Sequence, residues 1–195
     1  MDKGAQTRQA IVGTAVEVAY QVGLGGLTIG SLAERRQMSK SGLFAHFRSK
    51  EALQLAVLGH ARETFTDLVV RPALSVPRGE RRVRELFERW VVLGRDRVPG
   101  GCLFVKAATE FDDQPGPLRE QLAQDHRDLL DAIAQVSRTA VASGEFRADL
   151  DVDQFAHDLY GVMLVYYLTL RLLDDPAAET RTRTAFEALL TSSHA

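Results

Sequence analysis

Residues 28–50 read TIGSLAERRQMSKSGLFAHFRSK, and this stretch determines how the rest of the chain is interpreted. Its apolar residues have helical spacing in two short bursts, interrupted at residues 37–39, and each burst is too short for an ordinary helix. Thr28 and Ser39 each stand just before one burst, where a hydroxyl group can accept a hydrogen bond from a free N–H at the helix start. The second burst contains small, polar and basic residues that can approach a DNA groove: Lys40, Ser41, Gly42 and His46. The stretch therefore predicts a helix-turn-helix.

A wider set of residues extends this pattern through the beginning of the next helix: Ala33, 38–40, 43–44, 46–47 and 49–53. Together they resemble the N-terminal DNA-binding domain of the TetR family of transcriptional repressors. The resemblance implies an all-α protein, in which a three-helix DNA-binding domain at residues 1–50 precedes a helical ligand-binding and dimerisation domain at residues 51–195. It also implies a homodimer that binds a palindromic double-stranded DNA operator and is released from it by a small-molecule inducer. Nothing in the residues themselves distinguishes a repressor from an activator.

Two positions depart from the family pattern. Gln37 stands in the turn where the family usually has glycine, so we expect Gln37 to adopt a left-handed backbone conformation at a cost on the order of 1 kcal/mol. Phe44 stands where the family often has a tyrosine whose hydroxyl contacts a phosphate. Taken together, pattern and resemblance predict these DNA-binding residues: Thr28, Ser39, Lys40, Ser41, Gly42, Phe44, His46 and Lys50.

The charge distribution agrees with a DNA-binding N-terminal region. The chain has 195 residues, 45% of them hydrophobic, and a net charge of −2. Residues 1–50 contain seven Lys or Arg against three Asp or Glu, whereas residues 51–195 contain 17 against 23. The basic character is therefore confined to the predicted DNA-binding end. Because Cys102 is the single cysteine and the chain begins without the apolar run of a secretory signal, we expect a reducing cytoplasmic location.

Helical periodicity continues through the rest of the chain, and no segment alternates with a period of two. Residues 7–22 form one amphipathic face that is expected to pack across the two short helices. A later stripe begins at Leu53 and is expected to end at Pro72, which cannot continue a helix. Another helix is expected to end at residues 99–101, which read Pro-Gly-Gly.

The segment 159–173, LYGVMLVYYLTLRLL, is apolar around nearly its whole helical circumference. A helix of this kind must be buried on every side. Its uncharged run ends at Arg171, well short of the roughly 20 residues that span a bilayer, so no membrane insertion is expected. A second copy of the chain is the simplest cover for the outer face. With the last helix, this segment predicts a four-helix dimer interface, as the resemblance also implies, through Tyr166, Leu170, Phe186, Leu189 and Leu190.

Aromatic residues with polar tips recur on helices that follow the DNA-binding region, and several of them around a helical bundle are typical of an apolar ligand pocket. Most would serve as core in any helical protein. His126 interrupts an otherwise apolar stripe and could supply the polar group of the pocket. The predicted pocket consists of Phe65, Trp90, Phe104, Phe111, His126, Tyr160, Met163 and Tyr167. An inducer bound there is expected to be small and apolar.

The sequence contains little that supports other kinds of site. No nucleophile motif, glycine-rich phosphate loop or paired metal-binding pattern is present, so we expect no enzymatic activity, no cofactor and no metal. Cys102 begins a helix, and Lys106 lies one turn further on; both features lower a thiol pKa, which makes Cys102 a candidate sensor of oxidants or electrophiles. Two further hypotheses are a helical enzyme or ligand carrier without DNA binding, and a protein adaptor that uses the short helices.

Overall fold

The structure, a computed structural model, describes residues 3–96 and 102–195. Within them the chain is helical apart from connections and a single bridge between Phe146 and His194, which confirms the predicted all-α fold. Residues 99–101, predicted to end a helix, lie outside the described residues. The α-helices are α1 (Lys3–Val22), α2 (Ile29–Arg35), α3 (Lys40–His46), α4 (Lys50–Phe65), α5 (Arg71–Ser75), α6 (Glu80–Asp96), α7 (Leu103–Phe111), α8 (Pro117–Ala142), α9 (Val152–Arg171) and α10 (Ala178–Ser193).

Hydrogen-bonded caps define the two short helices α2 and α3. The Thr28 hydroxyl accepts a hydrogen bond from the Ser31 N–H at 3.1 Å, and the Ser39 hydroxyl accepts one from the Gly42 N–H at 3.0 Å. Both predicted caps are confirmed. Gln37, in the turn between the helices, has a φ of 51°, so its predicted left-handed conformation is confirmed as well. Glycine is favoured at such positive φ values, and a residue with a Cβ, such as Gln37, is strained there.

Gln37→Gly is expected to raise the free energy of unfolding by up to about 1 kcal/mol. Glycine relieves the Cβ strain at this φ, although its greater freedom in the unfolded chain offsets part of the gain. Thermal unfolding followed by circular dichroism measures the effect. Gln37→Ala retains the Cβ and is the matched control. A Gln37→Gly protein less stable than Gln37→Ala would show that the left-handed backbone carries no strain.

The chain divides into two compact units. The first contains the described residues up to Thr64 together with Cys102–Asp125, and the second contains those from Phe65 to Asp96 together with His126–Ala195. The limits of these units lie within α4 and α8, away from residue 50, and the functional division at residue 50 stays a prediction. No helix in the described part of the chain has the length and apolar character needed to cross a membrane.

The first unit is held together by a core to which α1, α2, α3, α4, α7 and the beginning of α8 all contribute. Burying this apolar surface gives the short helices α2 and α3 a stability that seven-residue helices lack by themselves. A guanidinium also covers the core, since Arg8 Cζ lies 4.8 Å from the centre of the Phe47 ring. The central core residues are Ile11, Ala15, Leu32, Leu43, Phe47, Leu53, Val57, Leu103 and Leu122.

The second unit packs α6, α9 and α10 together. Phe87 of α6 stacks on Phe186 of α10, with ring centres 3.8 Å apart and planes inclined by 12°. Arg183 bridges the same pair of helices by donating to Glu88, at 3.0 Å from Nη2 to Oε2. Tyr166 of α9 is fully buried, and its hydroxyl donates to the Val91 carbonyl of α6 at 3.3 Å.

Pro72 does not end the helix that begins at Lys50, contrary to the prediction. A π-helical turn at Thr66–Val70 follows α4, and α5 continues directly from it with Pro72 near its beginning. Within this turn the Arg71 N–H donates to the Thr66 carbonyl, five residues earlier. A widened turn gives the proline ring room beside the preceding carbonyl groups, which the regular α-helix denies it.

Candidate nucleic-acid interface and ligand site

The exposed surface of α3 is the candidate nucleic-acid interface. Lys40 and Ser41 are exposed at its beginning, and the Ser41 hydroxyl lies 3.1 Å from that of Ser39. Gly42 is half-buried, and a Cβ added there would lie 3.1 Å from the Ser39 oxygen, so the missing side chain lets the cap approach closely. Phe44, at 49% exposure, is a large apolar side chain in contact with solvent. These groups form one polar, basic surface with an apolar element.

Other predicted DNA contacts differ in how far they are available to DNA. Thr28 is exposed, but its hydroxyl is engaged with Ser31 as the cap of α2. His46 is half-buried at the end of α3. Lys50 is exposed, yet its ammonium group donates to the Gly25 carbonyl at 2.7 Å. Lys50 therefore has a structural role that its position in the sequence did not reveal, and its phosphate contact stays a prediction.

Side chains from α4 and α7 hold the turn between α1 and α2. Besides Lys50, the buried Gln54 donates from Nε2 to the Leu24 carbonyl at 2.8 Å. From α7, the Glu110 carboxylate accepts from the Gly25 N–H at 2.6 Å, and the Lys106 ammonium donates to the Tyr20 carbonyl at 3.0 Å. Gln54 and Glu110 could not be predicted from the sequence because long-range polar contacts leave no periodic signal. These bonds fix where α1 ends and α2 begins.

An aromatic cluster in the second unit is the candidate ligand site, and we define it as Phe65, Trp90, His126 and Tyr160. The Phe65 and Trp90 rings meet edge to face with centres 5.8 Å apart, and the Tyr160 ring centre lies 6.1 Å from that of Trp90. The Tyr160 hydroxyl forms a short hydrogen bond of 2.5 Å with His126 Nδ1. Trp90 is only 2% exposed. The structure thus brings together four of the eight predicted pocket residues.

The other four pocket residues are placed differently. Phe111 belongs to the core of the first unit, and Phe104 packs against that core, so their predicted place in a pocket stays a prediction. Phe111 also lines an open cleft of about 670 Å³ in the first unit, together with Lys50, Gln54 and Glu110. Met163 is fully buried, and Tyr167 lies against Tyr166 with ring centres 5.7 Å apart.

Two family models match this chain, one in its N-terminal part and one in its C-terminal part. Residues 11–57, which include α2 and α3, match the model for bacterial regulatory proteins of the tetR family. Residues 79–186 match the tetracyclin repressor-like C-terminal domain, which alone covers more than half of the chain. The chain belongs to the TetR family. The family is one of transcriptional regulators that bind DNA.

Similar proteins include both sequence relatives and solved structures. The tetracycline repressor protein class C of Escherichia coli is 28% identical over 188 residues, which cover 95% of this chain and 74% of that protein. A TetR transcriptional regulator from Chloroflexus aurantiacus J-10-FL is 26% identical, with a TM-score of 0.86 over 98% of this chain and 96% of that one. AibR in complex with isovaleryl coenzyme A and operator DNA is 21% identical, with a TM-score of 0.69 over 90% and 95% of the chains.

The candidate dimer surface of this TetR-family chain differs from the predicted one. Tyr166, Phe186 and Leu190 are buried within the single chain, so they form its core and are not available to a partner. Leu170 and Leu189 are half-buried. The exposed apolar residues of the region lie on the opposite face of α9 and just beyond its end, and we call them the α9 face: Val165, Leu168, Leu172 and Leu173.

Cys102, the redox candidate, is half-buried and stands directly before α7. Burial, and secondarily the charge of the Cys102 thiolate, raise the pKa of the Tyr20 phenol to about 12. Lys106 was predicted to lower the pKa of the Cys102 thiol. Its ammonium group donates a hydrogen bond to the Tyr20 carbonyl. A sensing role for Cys102 stays a prediction.

Proposed function

We propose that this TetR-family protein is a cytoplasmic homodimeric repressor that binds a palindromic operator through α2 and α3. A small, mainly apolar ligand bound at the aromatic cluster releases it. The observation that carries the DNA-binding part is the capped helix α3, which presents Lys40 and Ser41 to solvent at its N-terminal end. In this proposal, residues 1–50 read DNA, and residues 51–195 bind the ligand and dimerise.

The exposed side chains of α3 suggest a division of roles on DNA. Lys40 supplies a cation for a phosphate or for the acceptor edge of guanine, and Ser41 supplies a hydroxyl group for either. The exposed ring of Phe44 suits a thymine methyl group or a sugar, in place of the phosphate contact that a tyrosine would make. Thr28 and Ser39 act through their caps, which hold the two helices in register.

Operator binding is tested by footprinting the full-length protein on DNA selected from genomic fragments. A two-fold symmetric dimer presents two copies of α3, so we expect protection of an inverted repeat with half-sites about one helical turn, or a multiple of it, apart. A single asymmetric half-site would contradict the proposed dimer. Failure to select any DNA would favour the alternative of a ligand carrier or an enzyme.

Lys40→Ala is expected to weaken binding to all DNA sequences and to lower the slope of log affinity against log salt by about 1. The loss of one phosphate contact removes one released counterion. Fluorescence anisotropy of labelled DNA at several salt concentrations measures the slope. Arg71→Ala removes an exposed cation, paired with Asp67, from the second unit and serves as the control. An unchanged slope for Lys40→Ala would exclude this side chain from the interface.

Lys50→Ala is measured in the same salt series, and the stability of this variant is measured beside its DNA affinity. The Lys50 ammonium donates a hydrogen bond to the Gly25 carbonyl, so the substitution also removes a hydrogen bond that contributes about 1 kcal/mol to stability. A lower slope with unchanged stability would support direct phosphate contact. Lower stability with an unchanged slope would assign Lys50 to the α1–α2 turn alone.

The ligand and dimer parts of the proposal have separate support. The class C relative is named a tetracycline repressor, and AibR was solved with both isovaleryl coenzyme A and operator DNA. In this chain, the aromatic cluster joins apolar rings to a polar pair, Tyr160 and His126, as ligand sites commonly do. The α9 face supplies an apolar surface that a second copy could cover.

A further inference from the structure

A buried hydrogen-bond donor in the aromatic cluster has no acceptor in the part of the chain that the structure describes. Trp90 is 2% exposed, and its indole Nε1 makes no hydrogen bond to any residue among 3–96 and 102–195. Buried donors in folded proteins nearly always have a partner, and one without a partner is a conspicuous exception. This N–H group therefore points to a missing acceptor.

The chemistry around Trp90 limits what that acceptor can be. The neighbouring Phe65 ring offers only a π face or an edge, and a bond from an N–H group to a π face is weak. The Tyr160 hydroxyl is already engaged with His126 Nδ1 at 2.5 Å. A pure hydrocarbon has no acceptor, so it would leave the indole N–H without a hydrogen bond. An anion would exchange its full hydration for a site in which aromatic rings predominate, which is costly without a paired cation.

We propose that the inducer is a neutral, mainly apolar molecule that carries a carbonyl oxygen, and that this oxygen accepts the hydrogen bond of Trp90 Nε1–H. The inference rests on the proposed ligand site at the aromatic cluster and specifies its ligand class. Phe65 and Tyr160 provide the apolar walls, and Trp90 recognises the oxygen. Trp90 is accordingly the residue that distinguishes a ketone or an ester from a hydrocarbon of the same shape.

Two matched pairs of compounds test this class: acetophenone with ethylbenzene, and benzophenone with diphenylmethane. Each pair has a similar shape, and one member has a carbonyl oxygen. We expect the better-fitting ketone to bind the full-length protein about ten times more tightly than its hydrocarbon partner in titration calorimetry. Trp90→Phe keeps an aromatic ring without the donor and should abolish that preference. Tyr160→Phe keeps the aromatic wall and the Trp90 donor, so the ketone preference should survive in it even if both affinities change.

A direct readout avoids substitution in the core. The chain contains one tryptophan, so a ¹⁵N–¹H spectrum has a single indole N–H signal. Ketone binding is expected to move the proton chemical shift of that signal downfield. Hydrocarbon binding adds no hydrogen bond and is expected to cause no such downfield move. This measurement decides the question even if Trp90→Phe does not fold.

The remaining outcomes separate the inference from the proposed function. Equal binding of ketone and hydrocarbon, with an unmoved indole signal, would overturn the carbonyl inference while leaving a ligand site in place. A preference that survives Trp90→Phe and is lost in Tyr160→Phe would overturn it too, because another group would then recognise the oxygen. If none of the four compounds binds, both the carbonyl inference and the proposed ligand site are contradicted. Operator binding is judged independently by footprinting.

Discussion

Tyr166→Asp is expected to lower the free energy of unfolding by about 4 kcal/mol or more. The side chain is fully buried, and its hydroxyl donates to the Val91 carbonyl at 3.3 Å. The ring also packs on the backbone of α6, since a Cβ added at Gly94 would lie 2.9 Å from Tyr166 Cε1. Aspartate would leave a cavity where the ring was and place an unpaired carboxylate in the core.

Urea unfolding followed by circular dichroism measures this loss. Tyr166→Phe keeps the ring and removes only the hydroxyl, so it should cost about 1 kcal/mol. If Tyr166→Asp instead unfolds at the midpoint of the unmodified protein, Tyr166 is not a core residue. A well-folded but monomeric Tyr166→Asp protein would restore its originally predicted place in the dimer interface.

Leu168→Asp, two residues further along α9, is expected to have the opposite effect: a folded protein that no longer dimerises. Leu168 is 51% exposed and lies between Val165 and Leu172 on the α9 face. In a two-fold interface each substitution occurs twice, so two carboxylates would be desolvated for every dimer formed. We expect the dimer dissociation constant to rise about 100-fold or more.

Sedimentation equilibrium measures the dissociation constant, and circular dichroism confirms the fold. Leu74→Asp is the matched control, because Leu74 of α5 is a leucine of similar exposure, 45%, outside the α9 face. Operator affinity should decrease with Leu168→Asp and not with Leu74→Asp, since each monomer holds one α3. Unchanged dimerisation of Leu168→Asp would place the interface elsewhere on the chain.

Sequence reasoning was most successful where the deciding contacts are local. A cap joins a hydroxyl to an N–H three residues away, so Thr28 and Ser39 could be recognised from their position before a helical burst. The left-handed backbone of Gln37 is a local feature as well, and it was expected because the TetR pattern usually has glycine at that position. These features define α2 and α3, the part of the candidate site that was predicted best.

The outward-facing side of α9 could not be predicted in the same way. α9 is apolar on nearly every side, and periodicity cannot show which side meets α6 and α10 of the same chain. Tertiary packing places Tyr166 inside and Leu168 outside, although both are apolar in the pattern. The same limit applies to Phe104 and Phe111: periodicity marks them as inward-facing aromatic residues, and the structure places them at the core of the first unit, while their part in a pocket stays a prediction.

The positions of the aromatic chromophores have a spectroscopic consequence. Trp90, the only tryptophan, belongs to the second unit, and Tyr20 is the sole tyrosine of the first. Tryptophan emission therefore reports directly on the second unit, and it reports on the helices proposed to read DNA only if both units unfold in one cooperative transition. Burial raises the phenol pKa of Tyr20 to about 12, so Tyr20 remains un-ionised at ordinary alkaline pH and adds no phenolate absorbance from the first unit in that range.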